Sequence, residues 1–229
     1  MKITFIADSY GGPRIHNNIE EVTKEQSYPE LIKKELEKRG YDIVIDYASY
    51  RKITELPPLL KKYQDSTIFV VQLGVVDCYP RPLSQKYTIS KKFLPKLIRR
   101  IIRIRRGFFL KYIYNKPWSS MDQLYETIDT VCKIPNERFI WINVAPVNKF
   151  QEDESPGAND SIKKFNEMLA VVTKKYTNCE IIDIFSICNE IDNFECYFHA
   201  TDSHLNVKGN KLYADELLKF FNRNTKITH

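Results

Sequence analysis

Two rhythms of apolar residues alternate along the chain. Short runs at 2–7, 43–47, 67–73, 138–144 and 179–183 are dense in Ile, Val and Phe, as expected of strands buried in a sheet. Between them lie segments in which apolar residues return every third or fourth position, the spacing of a helix with one buried face. The segment opening at Ser27 is typical. Ser27 stands where a cap belongs, Pro29 falls in the first turn and Glu30 sits at the positive end; Leu31, Ile32 and Leu36 form the stripe, and Gly40 closes it. Further helices are predicted at 54–63, 90–109, 120–133, 159–176 (with Asn159 or Asp160 as cap) and 206–222. Strands alternating with helices predict an α/β, three-layer fold, a five-stranded parallel sheet covered on both faces. No repeat or linker divides the 229 residues, so one domain is expected over 1–229, with an elaboration at about 78–118.

Charge changes this picture in one place. The formal net charge of +6 is local in origin: twelve basic residues and no acidic one lie between Cys78 and Met121, whereas the remainder carries 23 basic against 29 acidic residues. No nucleic-acid-binding motif accompanies the basic stretch, and none of the partners expected is a nucleic acid. No apolar run approaches the length of a bilayer span. The N-terminus reaches Asp8 and then Gly11-Gly12-Pro13 too soon for a signal peptide. The five cysteines show neither C-x-x-C nor metal-type spacing; they read as reduced thiols of a cytoplasmic protein. Neither a metal nor a cofactor is expected, since there is no ligand cluster and no G-x-x-x-x-G-K phosphate loop.

Ligands of such sheets bind beyond the carboxyl ends of the strands. The loops leaving those ends carry Asp8-Ser9-Tyr10 after the first strand, Ser49-Tyr50-Arg51 after the second and Gly74-Val75-Val76-Asp77 after the third; Asp202-Ser203-His204 precedes the last helix. A serine becomes a nucleophile when a base lies within hydrogen-bond reach, and a histidine base needs a partner that fixes its tautomer. Ser9, His204 and Asp202 are therefore the candidate catalytic residues. The backbone N–H groups of Ser9 and Gly74 are the candidate oxyanion donors. Asp8 is expected to order the nucleophile turn rather than to titrate. Taken singly, a serine after a strand reads equally well as a turn cap, and a histidine near the C-terminus as a surface residue; His16 and His199 are read as surface or structural residues rather than ligands.

Read together and in this order, the loops resemble the SGNH (GDSL-type) hydrolases. Ala7-Asp8-Ser9 is similar to the G-D-S block of that family, Gly74-Val75-Val76-Asp77 to its G-x-N-D block, and Asp202-Ser203-His204-Leu205-Asn206 with Gly209 to its terminal D-x-x-H block. The resemblance implies a flavodoxin-like fold and esterase, deacetylase or acyltransferase chemistry. It extends to a branch found with bacterial surface-polysaccharide biosynthesis, because Pro13-Arg14 and Pro80-Arg81 follow the two early blocks. An O-acyl ester of a carbohydrate or glycolipid is then the expected substrate. This chain departs from the pattern at four positions: Ala7 stands for the first glycine, a mild change, and three departures bear on the chemistry. The oxyanion glycine of the second block is missing, with Ser49 nearest; Val76 replaces the donor Asn; and Asp202 lies two rather than three residues before the histidine. Asn143, Arg14 and Arg81 are candidates to replace the lost donor. A catalytically impaired relative that binds glycan or docks on a membrane is the alternative.

Arg14, Arg81 and Asp77 are the candidate substrate-binding residues, since arginine grips carboxylate or phosphate with a planar fork. Alternatively, Arg14 and Arg81 pair structurally with Asp8 and Asp77. The basic stretch is itself ambiguous. Leu94, Leu97, Ile98, Ile101 and Ile102 at helical spacing, flanked by arginines and followed by aromatics, suit peripheral contact with an anionic membrane at its inner face. They suit equally a helix packed on its own domain.

Overall fold

A computed structural model describes residues 1–16, 19–83, 96–113, 116–200 and 203–224. Its strands β1 (Lys2–Ala7), β4 (Asp42–Tyr47), β5 (Ile68–Gln72), β6 (Arg138–Ile142) and β7 (Cys179–Ile182) form one parallel sheet in the order β4-β1-β5-β6-β7. A short antiparallel hairpin, β2 (Arg14–His16) and β3 (Ile19–Val22), follows the first strand. The helices are α1 (Tyr28–Glu37), α2 (Leu56–Lys62), α3 (Val75–Cys78), α4 (Lys96–Ile104), α5 (Arg106–Tyr112), α6 (Met121–Cys132), α7 (Lys149–Glu154), α8 (Ala158–Thr173), α9 (Ile184–Glu190) and α10 (Val207–Asn224).

The period of two along each strand sorts side chains between two cores. Phe69 and Val71 of β5 join Phe139 and Trp141 of β6 against Leu60 of α2, Ile128 of α6 and Phe165 of α8. Val70, with Phe5, Ile140 and Ile142, faces the other way, against Ile32 of α1 and Leu217 of α10. Because both faces are covered, all five residues of β5 are buried, which is why its first four read as a continuous apolar run.

Several local details differ from the sequence expectation. The helix predicted at 54–63 opens as a 3-10 turn, Ile53–Glu55, before α2, whose first turn accommodates Pro57 and Pro58 without losing an internal hydrogen bond. Ser27 does not cap α1 through its side chain; its hydroxyl donates to the Lys24 carbonyl. Neither Asn159 nor Asp160 caps α8. Gly157 holds that position with φ 85°, and the Glu152 carboxylate accepts the N–H groups of Gly157 and Asn159. Asn159 is committed instead to Val147, whose N–H it accepts and whose carbonyl receives its amide.

Within the helix predicted at 90–109, the described part breaks at Arg105 into α4 and α5. Among its described residues Ile102 and Leu110 are buried, while Leu97, Ile98, Ile101, Ile104 and Phe108 are exposed. The apolar face of this arm does not pack wholly on the protein's own described residues.

Candidate active site

Ser9 owes its position to the end of β1. The Asp8 N–H donates to the Gln72 carbonyl, which keeps the chain in the sheet for one residue more. The Asp8 carboxylate then accepts the Tyr10 N–H at 2.9 Å and caps a single 3-10 turn, Ser9–Gly11. The turn tips Ser9 out of the sheet, leaving Asp8 fully buried beneath it. Asp8 thus orders the turn that carries Ser9. Burial also pushes its carboxyl up to about 6, against the opposing pull of the Tyr10 N–H and the His204 ring.

His204 arrives from the far end of the sequence on a tightly tied loop. Phe198 and Leu205 bridge, the His199 N–H donates to the His204 carbonyl, and the Asn206 amide donates to the carbonyls of Cys196 and Phe198. Asn206 also accepts the Gly209 N–H, so it caps α10. A side chain at Gly209 would put Cβ 2.1 Å from the Tyr197 carbonyl oxygen. The H-L-N-x-x-G run is therefore a packing requirement of this loop. His199 is structural, with Nδ1 3.2 Å from Glu21 of the hairpin.

These two constructions bring His204 Nε2 to 3.0 Å from Ser9 Oγ, across 195 positions of sequence. Burial and the nearby Arg14 cation lower the His204 imidazole to about 4, with Asp8 acting in the opposite direction. The ring is neutral at pH 7 and able to accept a proton. Tyr10 flanks it with ring centroids 5.5 Å apart. The pair opens into a cleft of about 540 Å³ lined also by Arg14, Ser49, Tyr50, Val75, Val76, Tyr79, Arg81 and Arg106.

The other predicted residues divide clearly. Arg14 and Arg81 line the cleft. Asp77 does not: it is fully buried and accepts hydrogen bonds from the Ile53 N–H at 2.9 Å and the Ser119 hydroxyl at 2.5 Å, tying two loops together. That commitment also takes Asp77 away from a pairing with Arg81, whose guanidinium lies over Trp118. Gly74 is not a lining residue. It takes φ +127° at the start of α3 with the Phe165 ring against its Cα, and the following residues, Val75 and Val76, reach the cleft. Asn143 cannot replace the lost donor, because it holds Asp183 and the Phe185 N–H outside this cleft. Asp202 lies outside the described residues.

Sequence reasoning passed over Tyr79, Arg106, Phe150 and Gln151 as parts of the cleft wall. Arg106 was hidden among eleven other basic residues of its segment. Phe150 and Gln151 belong to α7, too short to show a helical stripe.

The parallel sheet with helices on both faces is the three-layer α/β fold of SGNH-type hydrolases. No family model matches the chain and no curated protein matches it by sequence. Solved structures do match. A lipase/acylhydrolase from Enterococcus faecalis superposes with a TM-score of 0.66 at 14% identity, over 97% of this chain and 95% of that one. A catalytic mutant of an acetylxylan esterase from Geobacillus stearothermophilus gives 0.60 at 12% identity, over 95% and 92%. Another acetyl xylan esterase gives 0.60 at 16%, over 96% and 99%. At such identities the likeness is one of fold.

Proposed function

We propose that this chain is a serine esterase or acyl-transfer enzyme acting on an O-acyl ester of a carbohydrate. The observation that carries the reading is the 3.0 Å approach of His204 Nε2 to Ser9 Oγ. Ser9 attacks the ester carbonyl while the neutral imidazole takes its proton and later returns it to the leaving oxygen. Asp202 is the proposed partner of the other ring nitrogen. The developing negative charge falls to the backbone N–H groups of Ser9 and of the turn from Gly74 to Val76, with Ser49 and Arg14 as side-chain donors in the cleft. Water or a sugar hydroxyl then resolves the acyl-enzyme. The carbohydrate part of the proposal draws support from the acetylxylan esterases among the structures of like fold. A role in surface-polysaccharide assembly is proposed from Pro13-Arg14 and Pro80-Arg81.

A fluorophosphonate probe is expected to label wild-type protein at Ser9. Ser9→Ala and His204→Ala are expected to abolish labelling and to lower hydrolysis of a nitrophenyl acetate by about 10³-fold or more. Absence of labelling in correctly folded wild-type protein would overturn the enzymatic reading in favour of glycan binding, to which the absence of a side-chain donor at Val76 points.

The proposal extends to location. No helix among the described residues is long and apolar enough to cross a membrane. The arm instead exposes Leu97, Ile101, Ile104 and Phe108 within a stretch devoid of acidic residues. Such a surface suits shallow insertion into an anionic bilayer face, each cation adding about 1 kcal/mol.

A further inference from the structure

The cleft that holds Ser9 contains an unusual pairing of like charges. Arg81 and Arg106 each place their guanidinium carbon 5.5 Å from the centroid of one ring, that of Tyr79. Arg81 also lies over Trp118 at 4.6 Å, and its backbone N–H is tied to the Lys116 carbonyl. Arg106 is pinned by neutral acceptors: Nε donates to the Ser155 hydroxyl and one terminal nitrogen to the Pro80 carbonyl, each at 2.6 Å. Both arginines are half-buried and both line the cleft that holds Ser9 and His204. Arg81 Nε is enclosed without a hydrogen-bond partner among the described residues.

Two cations brought together on aromatic and neutral supports repel each other and have lost part of their hydration. Burial lowers the guanidinium pKa of both, and for Arg81 repulsion from Arg106 adds to it. Glu154 also lines the cleft and acts on Arg106 as a countercharge. A fold that fixes two arginine forks in this way, in the wall of the cleft that holds Ser9 and His204, has prepared a place for a group that brings its own negative charge.

We propose that Arg81 and Arg106 form an oxyanion-recognition subsite that selects carbohydrate esters bearing a carboxylate or phosphate on the sugar. The proposal builds on the esterase reading and deepens it by naming the substrate class. The subsite faces the sugar rather than the reacting carbonyl, so these are specificity residues. Arg106 comes from the basic arm, which assigns part of that segment to the wall of the site.

Trp118 supplies the test. The chain has two tryptophans, and the other, Trp141, is buried in the core. Wild-type and Ser9→Ala protein are titrated with glucuronate, glucose 6-phosphate and glucose at fixed ionic strength, following tryptophan fluorescence. Saturable change is expected with at least one of the two anions and not with glucose; which anion responds separates the carboxylate from the phosphate source. Arg81→Gln and Arg106→Gln are each expected to weaken that binding about 10- to 100-fold, the range for a lost charge-assisted hydrogen bond. Arg81→Lys, which keeps the charge and loses the fork, is expected to fall between. The ratio of kcat/KM for acetylated glucuronate over acetylated glucose is expected to fall by a similar factor in Arg81→Gln. Absence of anion binding in wild-type protein, or binding that both glutamine variants leave intact, would overturn the subsite. Anion binding in a protein that no fluorophosphonate labels would sink the esterase reading and leave the subsite standing. Ester hydrolysis with no preference for the anionic sugar would do the reverse.

Discussion

The sheet and the basic arm use apolar residues in opposite ways. In β5 and β6 nearly every one is buried twice over, by the neighbouring strands and by a helical layer: Phe69, Phe139, Ile140 and Trp141 have no accessible surface. In α4 and α5 the same residue types mostly face outward, with Ile102 and Leu110 as the buried exceptions among the described residues. Hydrophobicity therefore has two meanings in this chain. In the sheet it supplies the free energy that fixes Ser9 and His204 at one rim. In the arm much of it contributes nothing to the fold, so it is available for something else. The arm is nonetheless attached to the site, since Arg106 reaches back to Pro80 and Ser155 while Ile102 and Leu110 anchor its inner side.

The comparison is sharpened first by deletion. Phe139→Ala removes a ring stacked on Phe69 at 5.6 Å between two fully covered layers; a loss of about 3–5 kcal/mol is expected. Ile102→Ala, at the anchored side of the arm, is expected to cost about 2 kcal/mol, less than Phe139→Ala because fewer layers close over it. Urea unfolding of both variants reads the difference. Equal losses would show that the arm and the sheet share one continuous core.

A second test concerns the cost of holding the rim that carries Ser9 and His204 together. Asp8 has its folded pKa raised to about 6, so its contribution to stability is greatest at acid pH and is lost as pH rises through 6. His204 has its pKa lowered to about 4, so its contribution is present above the ordinary imidazole value and is lost as pH falls through 4. The two slopes oppose each other and flatten the wild-type profile. Asp8→Asn keeps an acceptor for the Tyr10 N–H but removes one slope. The variant is expected to gain stability relative to wild type between about pH 4 and 7, reaching on the order of 2 kcal/mol. Thermal unfolding across that range measures it; a difference independent of pH would show that Asp8 does not bear a buried charge.

Much of the sheet was legible because strands covered on both faces write themselves as unbroken apolar runs, as residues 68–71 do. The meeting of Ser9 with His204 was legible because each follows from local rules. A carboxylate caps the turn after β1, and a glycine lets Tyr197 close over the loop before α10. What could not be read depends on who reaches whom across the fold. Asp77 and Asn143 look like site residues from their loops, yet each is taken up by backbone groups and side chains brought from elsewhere, Ile53 and Ser119 in one case, Asp183 and Phe185 in the other. Arg106 gives the converse lesson. Its charge is indistinguishable from its neighbours' in sequence, and the Tyr79 ring and Ser155 hydroxyl that single it out lie 27 residues before it and 49 after it. The β2–β3 hairpin escaped because its strands span three and four residues, too few to display a period.

The smallest expected effect on stability is the most informative about the arm. Leu97→Ser with Ile101→Ser removes two aliphatic side chains that are 68% and 47% exposed. If these residues serve the fold, the double variant should lose stability as a core deletion does. If they are surplus to it, stability should stay within about 0.5 kcal/mol of wild type, as for surface substitutions in general. The second outcome is expected, together with unchanged hydrolysis of a nitrophenyl acetate. The effect should appear on vesicles: co-sedimentation with phosphatidylglycerol-containing bilayers is expected for wild type and to weaken in the variant, because two buried side chains of this size account for roughly 3–6 kcal/mol of insertion. Wild-type protein that ignores anionic vesicles would remove the membrane from the account. A variant that loses stability would place these apolar residues back in the fold and erase the contrast with the sheet.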